Sequence, residues 1–428
     1  MQDIGHRLKS IRVPGIPLSW LTPGEDYSRT PRSFKIFCSG NRYGVATCPH
    51  IVRSVIVDWR RTPFSRSHKG ELSGIRPDEF ASQVLVELLN NLNINPAEID
   101  DVIVGCAYPE GEQGYNVGRL MALMSGLPKE APGVTINRLC GSSMQAIMYA
   151  SANISAGWGE CFVCGGIESM SRVKRRGFNW SPHPKFELDF PEAYVNMGIT
   201  AENVAELYGI SRTEQEEFSL LSHTKSSNAE LSGKFGEEIV PIVHKDGLIA
   251  KDGCIRPNSS LESMSRLEPA FIDGGTVTAA TSSPLTDGAV FSLVCSEDFA
   301  RKNELQPMAR IVSAATTGCP PELMGLGPVS STRLALDRAG WKPNEIDVFE
   351  LNEAFSSQSI ACIRELGLNP EIINIDGGAL SIGHPLGASG ARIACKAASI
   401  LCREGGKKAL ASMCIGGGMG ISIAMESL

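Results

Sequence analysis

The sequence predicts an α/β protein made of two similar halves with a polar lobe inserted between them. Three observations carry this reading: a segment that recurs near both ends of the chain, a Gly/Ser-rich turn entering a helix after each copy, and a glycine-ended apolar strand after each helix. The recurring segments are Asn95-Pro-Ala-Glu-Ile-Asp-Asp-Val-Ile-Val-Gly and Lys342-Pro-Asn-Glu-Ile-Asp-Val-Phe-Glu-Leu, each a turn followed by a buried strand. The turns are Cys140-Gly-Ser-Ser-Met-Gln and Gly383-His-Pro-Leu-Gly-Ala-Ser-Gly. The strands are Phe162-Val-Cys-Gly-Gly and Ala411-Ser-Met-Cys-Ile-Gly-Gly-Gly. One such match could arise by chance; three in the same order argue for a duplicated topology.

Residues 1–52 stand apart. Up to Arg53 they carry basic residues from Arg7 onward against only Asp3, Glu25 and Asp26, with prolines at 14, 17, 23, 31 and 49. A cleaved targeting segment and a poorly ordered extension both fit that composition, and the absence of a long apolar core argues against secretion. Regular signals begin at Ser54-Val-Ile-Val-Asp, a strand, and continue with Pro77-Asp-Glu-Phe-Ala, which opens an amphipathic helix reaching Leu89 with acids in its first turn. Val134-Thr-Ile-Asn reads as a strand, and Met144, Ile147, Met148 and Ile154 keep a helical stripe behind Cys140. The stretch 171–287 is more polar, with Lys174-Arg175-Arg176, an aromatic and proline loop, and a charged helical run from Thr213 to Leu231. It is too long for a simple loop, and as an inserted lobe it is a natural place for substrate contacts. The division expected is therefore 1–52 as an extension, 53–170 with 288–300 as the first half, 171–287 as the lobe, and 301–428 as the second half.

Composition bounds the function. The 428 residues carry a net charge of −7, which disfavours a nucleic-acid or anionic-membrane protein, and 42% hydrophobic content suits a large globular core. No apolar run approaches the ~20 residues of a membrane span. Thirteen cysteines without a spaced framework indicate free thiols in a reducing compartment. Cys161-Phe-Val-Cys164 has the look of a metal or redox motif, but in a strand residues three apart point to opposite faces, so core packing is expected.

Four positions could carry chemistry. Cys140 sits where a strand turns into a helix, and there the helix dipole and free N–H groups can depress a thiol pKa and make a nucleophile; the alternative is an inert buried cysteine, one among thirteen. His384 lies in the equivalent turn of the second half; if the halves pack about a pseudo-twofold, the two face each other as an activated nucleophile. The alternative for His384 is a turn residue capping the next helix. Cys414 lies where a strand meets a glycine turn whose N–H groups could bind an oxyanion, or could simply form a turn. Asn352, in Asn352-Glu-Ala-Phe, could hold a water or carbonyl at a strand end, or cap the following helix.

Taken together, Asn137-Arg-Leu-Cys-Gly-Ser-Ser-Met-Gln-Ala, Asn352-Glu-Ala-Phe, Gly383-His-Pro-Leu-Gly-Ala-Ser-Gly-Ala-Arg and Cys414-Ile-Gly-Gly-Gly-Met-Gly resemble the thiolase family. Arg61-Thr-Pro-Phe and Thr281-Ser-Ser-Pro-Leu-Thr-Asp-Gly-Ala resemble its patterns as well, so the likeness runs from about residue 53 to the C-terminus. It implies a duplicated αβαβα five-layer fold with an inserted loop domain. It implies Cys140 as the nucleophile that takes the acyl group, His384 as its activator and a ligand of the thioester oxygen, and Cys414 as the acid/base for the α-carbon of acetyl-CoA. Asn352 would hold an oxyanion-hole water, and the N–H groups of Cys140 and Gly416 would form the second hole. Arg256, Ser263 and Ser283 match positions near CoA, the only cofactor implied, and no metal is implied.

The activity implied is that of a degradative 3-ketoacyl-CoA thiolase, an acetyl-CoA C-acyltransferase of fatty-acid β-oxidation. Acetoacetyl-CoA thiolase in the condensing direction and a non-catalytic binding relative are the alternatives. A decarboxylating ketoacyl synthase is disfavoured, because it uses two histidines and only His384 lies in a suitable turn. The resemblance further implies a homodimer or tetramer, with association to a hydratase/dehydrogenase subunit in some members. The expected location is cytoplasmic, or mitochondrial if the extension is a transit peptide. Two departures stand inside the resemblance: Asp376 replaces the usual second Asn, expected to alter no more than a turn hydrogen bond, and Lys174-Arg-Arg176 replaces a more apolar stretch, where attraction of CoA phosphates competes with a solvated loop.

Overall fold

The computed structural model describes residues 52–428 apart from Asn93 and Asp246. The extension read in the sequence falls almost wholly on residues 1–51, outside the described residues. The described chain divides into a short segment, 183–191, and the body formed by 52–182 and 192–428.

Within the body, β1 (Ser54–Arg61) and the two-residue β2 (Ser65–Arg66) precede α1 (Pro77–Asn91). Proline at the start of α1 and Asp78 and Glu79 in its first turn suit the helix N-terminus, and Phe80, Ala81, Val84, Leu85 and Leu88 form its buried stripe. Then follow β3 (Asp101–Gly105), α2 (Val117–Met124), β4 (Val134–Ile136), α3 (Ser142–Ala156) and β5 (Cys161–Glu168). All eight residues of β5 are buried. Cys161 and Val163 join one core cluster while Phe162 and Cys164 join the other, so the two cysteines pack on opposite faces of the sheet.

The segment 183–191 holds α4 (Pro184–Asp189), whose first turn places the Phe186 N–H on His183 Nδ1. The lobe continues in the body with α5 (Met197–Tyr208), α6 (Arg212–Leu231), a β6 (Ile242–His244) and β7 (Gly247–Ile249) hairpin, and α7 (Leu261–Ser265). A capping box of Ser211 and Glu214 starts α6. The chain returns to the main sheet as β8 (Thr286–Ser296), followed by α8 (Glu297–Lys302), β9 (Ala309–Gly318) and α9 (Gly327–Ala339). The last elements are β10 (Val348–Leu351), α10 (Ser356–Leu366), α11 (Ala379–Ile382), α12 (Leu386–Glu404), β11 (Lys408–Ile415) and β12 (Met419–Glu426).

The strand order exposes the duplication. One series runs β1-β8-β5-β3-β4 and the other β9-β12-β11-β10, with a bridge from Phe349 to Ile373 where the fifth strand would lie. In both, the first two pairings are antiparallel and the next two parallel. The recurring Pro96 and Pro343 segments each form a short 3₁₀ turn before the matching strands β3 and β10. The two series are not separate sheets: Val55 pairs with Arg310 and Ile56 with Ala309, which joins their nine strands into one ladder, with β2 pairing β8 off that line as the tenth strand.

Helices α3 and α12 pack together and touch strands of both series, while α1 and α2 lie on the first series and α9 on the second. The middle pair is very close. The Ala391 N–H donates to Ser143 Oγ at 2.8 Å, and a Cβ on Gly390 would fall 2.5 Å from the Met144 nitrogen, so only glycine fits there. This packing brings the N-terminal ends of α3 and α12, and the turns that precede them, to the same layer.

Candidate active site

The Cys140 turn is built by its neighbours. Asn137 Oδ1 accepts from the Leu139 N–H at 2.8 Å, and Ser142 Oγ accepts from Arg138 N–H at 2.9 Å while donating to the Leu139 carbonyl at 2.6 Å. Leu139 itself takes a left-handed φ of 46°, rare for a branched side chain and held by these bonds. The turn presents a partly exposed Cys140 just ahead of α3. Its sulfur faces its own N–H and that of Gly416, the two donors that the family resemblance assigns to an oxyanion hole.

A helix end can depress a thiol pKa, the possibility the sequence raised for Cys140, but the structure sets the opposite direction. Burial pushes the thiol up, and the Gly416 N–H, the Arg175 charge and the Cys140 N–H only partly offset that. A thiol that holds its proton in the resting site requires a base to ionise it.

His384 can be that base. It precedes α12 but does not cap it, since Pro385 occupies the cap position. The imidazole is buried, and burial, reinforced by the Arg392 charge, holds its pKa down at about 3, so the ring is neutral. Ser389 Oγ lies 2.8 Å from the Pro385 carbonyl, to which it donates its only proton, and 2.6 Å from His384 Nδ1. Ser389 must therefore accept from Nδ1–H, which leaves Nε2 unprotonated, its lone pair facing the Asn352 amide as acceptor. Asn352 Nδ2 approaches Nε2 at 3.4 Å. Asn352 does not cap α10, whose cap position is Phe355; its N–H is tied to the Ser412 carbonyl of the adjoining strand at 3.0 Å. Its Oδ1 is buried without a hydrogen-bond partner among the described residues, an orphan acceptor of the kind an ordered water or ligand satisfies.

Cys414 is buried in an apolar cluster with Ala354, Phe355, Met324 and Val277. Burial raises its thiol well above the ordinary range, and the neighbouring Cys140 raises it further. Cys140, Gly416 and Cys414 thus form one group and Asn352 and His384 another, joined because Asn352 directly follows β10 and Cys414 lies near the end of its parallel neighbour β11.

Arg256 and Ser263 line a cavity of about 340 Å³ together with Arg66, His223, Ser282 and Pro284. Ser283 does not line it: its N–H donates to the Ala354 carbonyl at 3.0 Å, placing it between two lining residues and closer to the Asn352 segment. His223 Nδ1 accepts from the Arg256 N–H at 3.2 Å, and burial followed by the Arg256 charge lowers its pKa to about 4.

Sequence reasoning missed Arg66, His223, Ser389 and Glu168. Ser389 stood inside a quoted motif, but nothing in one dimension shows that its proton goes to the Pro385 carbonyl. Glu168 accepts from the Ala107 and Gly387 N–H groups at 2.8 and 2.9 Å and from Gln113 Nε2 at 2.5 Å, so it ties the end of β5 to the first turn of α12, beside His384. Burial lifts its pKa to about 7. The Asp376 expectation also needs correction. Its carboxylate forms ion pairs with Lys234, Lys396 and Arg403 at 3.3, 3.0 and 2.7 Å, so the departure from Asn is met by three cations rather than by a change in one turn bond.

A protein with this doubled αβαβα architecture and this cysteine–histidine–cysteine site is of the thiolase class, and the chain belongs to the thiolase family. Residues 54–298 match the family model described as thiolase, N-terminal domain, and residues 305–427 match thiolase, C-terminal domain. The chain is 43% identical over 383 residues to 3-ketoacyl-CoA thiolase of Aeromonas hydrophila, covering 87% of this chain and 98% of that protein. It is 39% identical to 3-ketoacyl-CoA thiolase of Bacillus subtilis, covering 87% and 99%. Among solved structures, human mitochondrial 3-ketoacyl-CoA thiolase in complex with CoA superposes with a TM-score of 0.81 at 35% identity, covering 88% of this chain and 98% of that one. Bacillus anthracis acetyl-CoA acetyltransferase gives the same TM-score at 36% identity, covering 88% and 99%.

Proposed function

We propose that the protein is a 3-ketoacyl-CoA thiolase that cleaves 3-ketoacyl-CoA with CoA to acetyl-CoA and a shortened acyl-CoA, in fatty-acid β-oxidation. The observation that carries this is the grouping of Cys140, whose thiol burial keeps protonated beside the Gly416 N–H, with the neighbouring Cys414 and with a neutral His384 whose Nε2 carries a lone pair. In the first half-reaction His384 Nε2 takes the Cys140 proton while the sulfur bonds to C3 of the substrate. The oxyanion that forms is held by the N–H groups of Cys140 and Gly416. The C2–C3 bond then breaks, its electron pair passes to C2, and Cys414 protonates that carbon, releasing acetyl-CoA and leaving S-acyl Cys140. In the second half, CoA thiol gives its proton to the Cys414 thiolate and attacks the acyl carbonyl, and the departing Cys140 sulfur recovers its proton from His384.

His384, once protonated, donates from Nε2 toward the thioester oxygen, and the orphan Asn352 Oδ1 offers an acceptor for the water of that hole. Arg256 and Ser263 are proposed to receive the CoA nucleotide end in the cavity they line, and Ser283 the pantetheine arm that leads from it toward Asn352. The two α/β halves and the lobe are proposed as the working domains, assembled as a homodimer or tetramer, with a hydratase/dehydrogenase subunit as a candidate partner. No helix among the described residues is long and apolar enough to cross a membrane. A cytoplasmic location follows the bacterial relatives, and a mitochondrial one requires residues 1–52 to act as a transit peptide.

The test is CoA-dependent thiolysis of acetoacetyl-CoA and a long-chain 3-ketoacyl-CoA side by side, with Cys140→Ala as control. Comparable or faster turnover of the long chain supports the proposal. Turnover of acetoacetyl-CoA alone assigns the short-chain activity named for the Bacillus anthracis structure. Absence of both, or an active Cys140→Ala protein, overturns it.

A further inference from the structure

Glu168 holds a fully buried carboxylate at the end of β5, with no Lys, Arg or His partner among the described residues. Four N–H groups converge on it instead. Oε2 accepts from the Ala107 N–H at 2.8 Å and the Gly387 N–H at 2.9 Å, while Oε1 accepts from Gln113 Nε2 at 2.5 Å and from the Tyr108 N–H at 3.4 Å. The Cys106 thiol lies 3.8 Å from Oε1. Gln113 is itself fixed: its Oε1 accepts from the Ser169 N–H at 2.9 Å, and its Nε2 also reaches the Tyr108 carbonyl at 3.0 Å. A carboxylate buried without a counter-ion is costly, and these N–H donors are what offset the cost.

The two bonds to Oε2 lead to the two catalytic turns. On one side, Gly387 is the second residue of α12, three residues past His384, whose own N–H donates to Thr286 Oγ1 at 3.0 Å. On the other side, the Ala107 carbonyl accepts from Asn137 Nδ2 at 3.0 Å, and Asn137 Oδ1 accepts from the Leu139 N–H at 2.8 Å, one residue before Cys140. One oxygen atom therefore sets the start of α12 against the Cys140 turn. The contact has no slack. A Cβ on Gly166 would fall 2.1 Å from the Gly387 carbonyl oxygen, and one on Gly387 would fall 2.7 Å from the Ile167 carbonyl oxygen, so the backbones meet directly.

Resting on the thiolase reading, we propose that Glu168 is a positioning residue that fixes the placement of the Cys140 sulfur relative to His384 Nε2 by holding the Ala107 and Gly387 N–H groups on one carboxylate oxygen. It touches neither the substrate nor the reacting atoms. A carboxylate suits this task because both of its oxygens accept. An amide offers one acceptor where four N–H groups converge, and a thioether side chain of similar size offers almost none.

The experiment measures kcat and KM for thiolysis, together with alkylation of Cys140 by iodoacetamide at pH 7, in Glu168→Met and Glu168→Gln. A misplacement of about 1 Å costs on the order of 10²-fold, so kcat should fall by about 100-fold in Glu168→Met and about 10-fold in Glu168→Gln. KM should stay within about threefold, since Glu168 does not line the Arg256 cavity. Alkylation should slow in the same order, because Cys140 is moved from the base that ionises it. A merely structural role predicts the opposite sign: a loosened fold uncovers Cys140 and speeds alkylation. Alkylation at or above the wild-type rate in both variants overturns the proposal, and so does a kcat within about twofold of wild type in either. If Glu168→Met does not fold, Glu168→Gln decides by the same two readings. Asn137→Ala tests the arm to Cys140: combined with Glu168→Gln it should lose less than the product of the two single losses, and a full product overturns the shared strap. Alkylation needs no turnover. A wild-type protein that cleaves no 3-ketoacyl-CoA sinks the thiolase reading, while slower alkylation in both Glu168 variants keeps Glu168 as the residue that places Cys140.

Discussion

Replacing Asp376 by Asn tests whether the buried ion network holds the lobe to the second half. Asp376 has a fully buried side chain and shares its carboxylate among Lys396, Arg403 and Lys234. Burial by itself would raise its pKa, yet the hydrogen bonds and charges of Arg403 and Lys396 prevail and bring it from 3.8 to about 2. A downward shift of that size corresponds to about 2.5 kcal/mol in favour of the folded state with the carboxylate ionised. The sign follows from the direction: this stability is fully present above the unfolded-state pKa near 4 and is lost as pH falls through about 2. Asp376→Asn keeps the shape and removes the charge. Lys396 retains Glu238 at 2.9 Å, and Arg403 and Lys234 are partly exposed, so they are rehydrated. The expected loss is therefore about 2–3 kcal/mol, below the 3–5 kcal/mol typical of a buried pair with one partner deleted. Urea unfolding of both proteins at pH 7 measures it, and thermal unfolding between pH 7 and 3 follows the linkage. A difference below ~0.5 kcal/mol at pH 7, or a gap that widens on acidification, would refute the reasoning.

Two further outcomes follow from the site. Ser389→Ala removes the acceptor that fixes the His384 Nδ1–H tautomer, so thiolysis should fall by roughly 10- to 100-fold with little change in melting temperature; alkylation of Cys140 by iodoacetamide should slow in parallel, and an unchanged rate at pH 7 would remove Ser389 from the argument. Cys414→Ala deletes the acid for C2 but leaves Cys140 and its N–H donors, so carbon–carbon cleavage should drop by about 10²–10⁴-fold. Acyl exchange between acyl-CoA and Cys140, seen as an acyl adduct by intact mass, should persist, and its loss together with cleavage would assign Cys414 to folding instead.

The sequence by itself determined the elements and their duplication. Hydrophobic periodicity, proline and glycine punctuation and the recurrence of the Pro96 and Pro343 segments are local quantities, readable one turn at a time, and the strands and helices sit where they placed them. The likeness of four short motifs to one family located Cys140, Asn352, His384 and Cys414, because each motif is a contiguous turn. What the tertiary structure alone decided is the state of those groups. Whether Cys140 is depressed by a helix end or raised by burial depends on how many chain segments cover it, and no spacing encodes that sum. The His384 tautomer depends on where a serine in the next helical turn sends its proton. Asp376 meets Lys234 and Lys396, and Glu168 meets Gly387, across sequence separations that only folding closes. The joining of the two strand series through Val55, Ile56, Ala309 and Arg310 is likewise a property of packed edges, since either edge by itself reads as an ordinary strand.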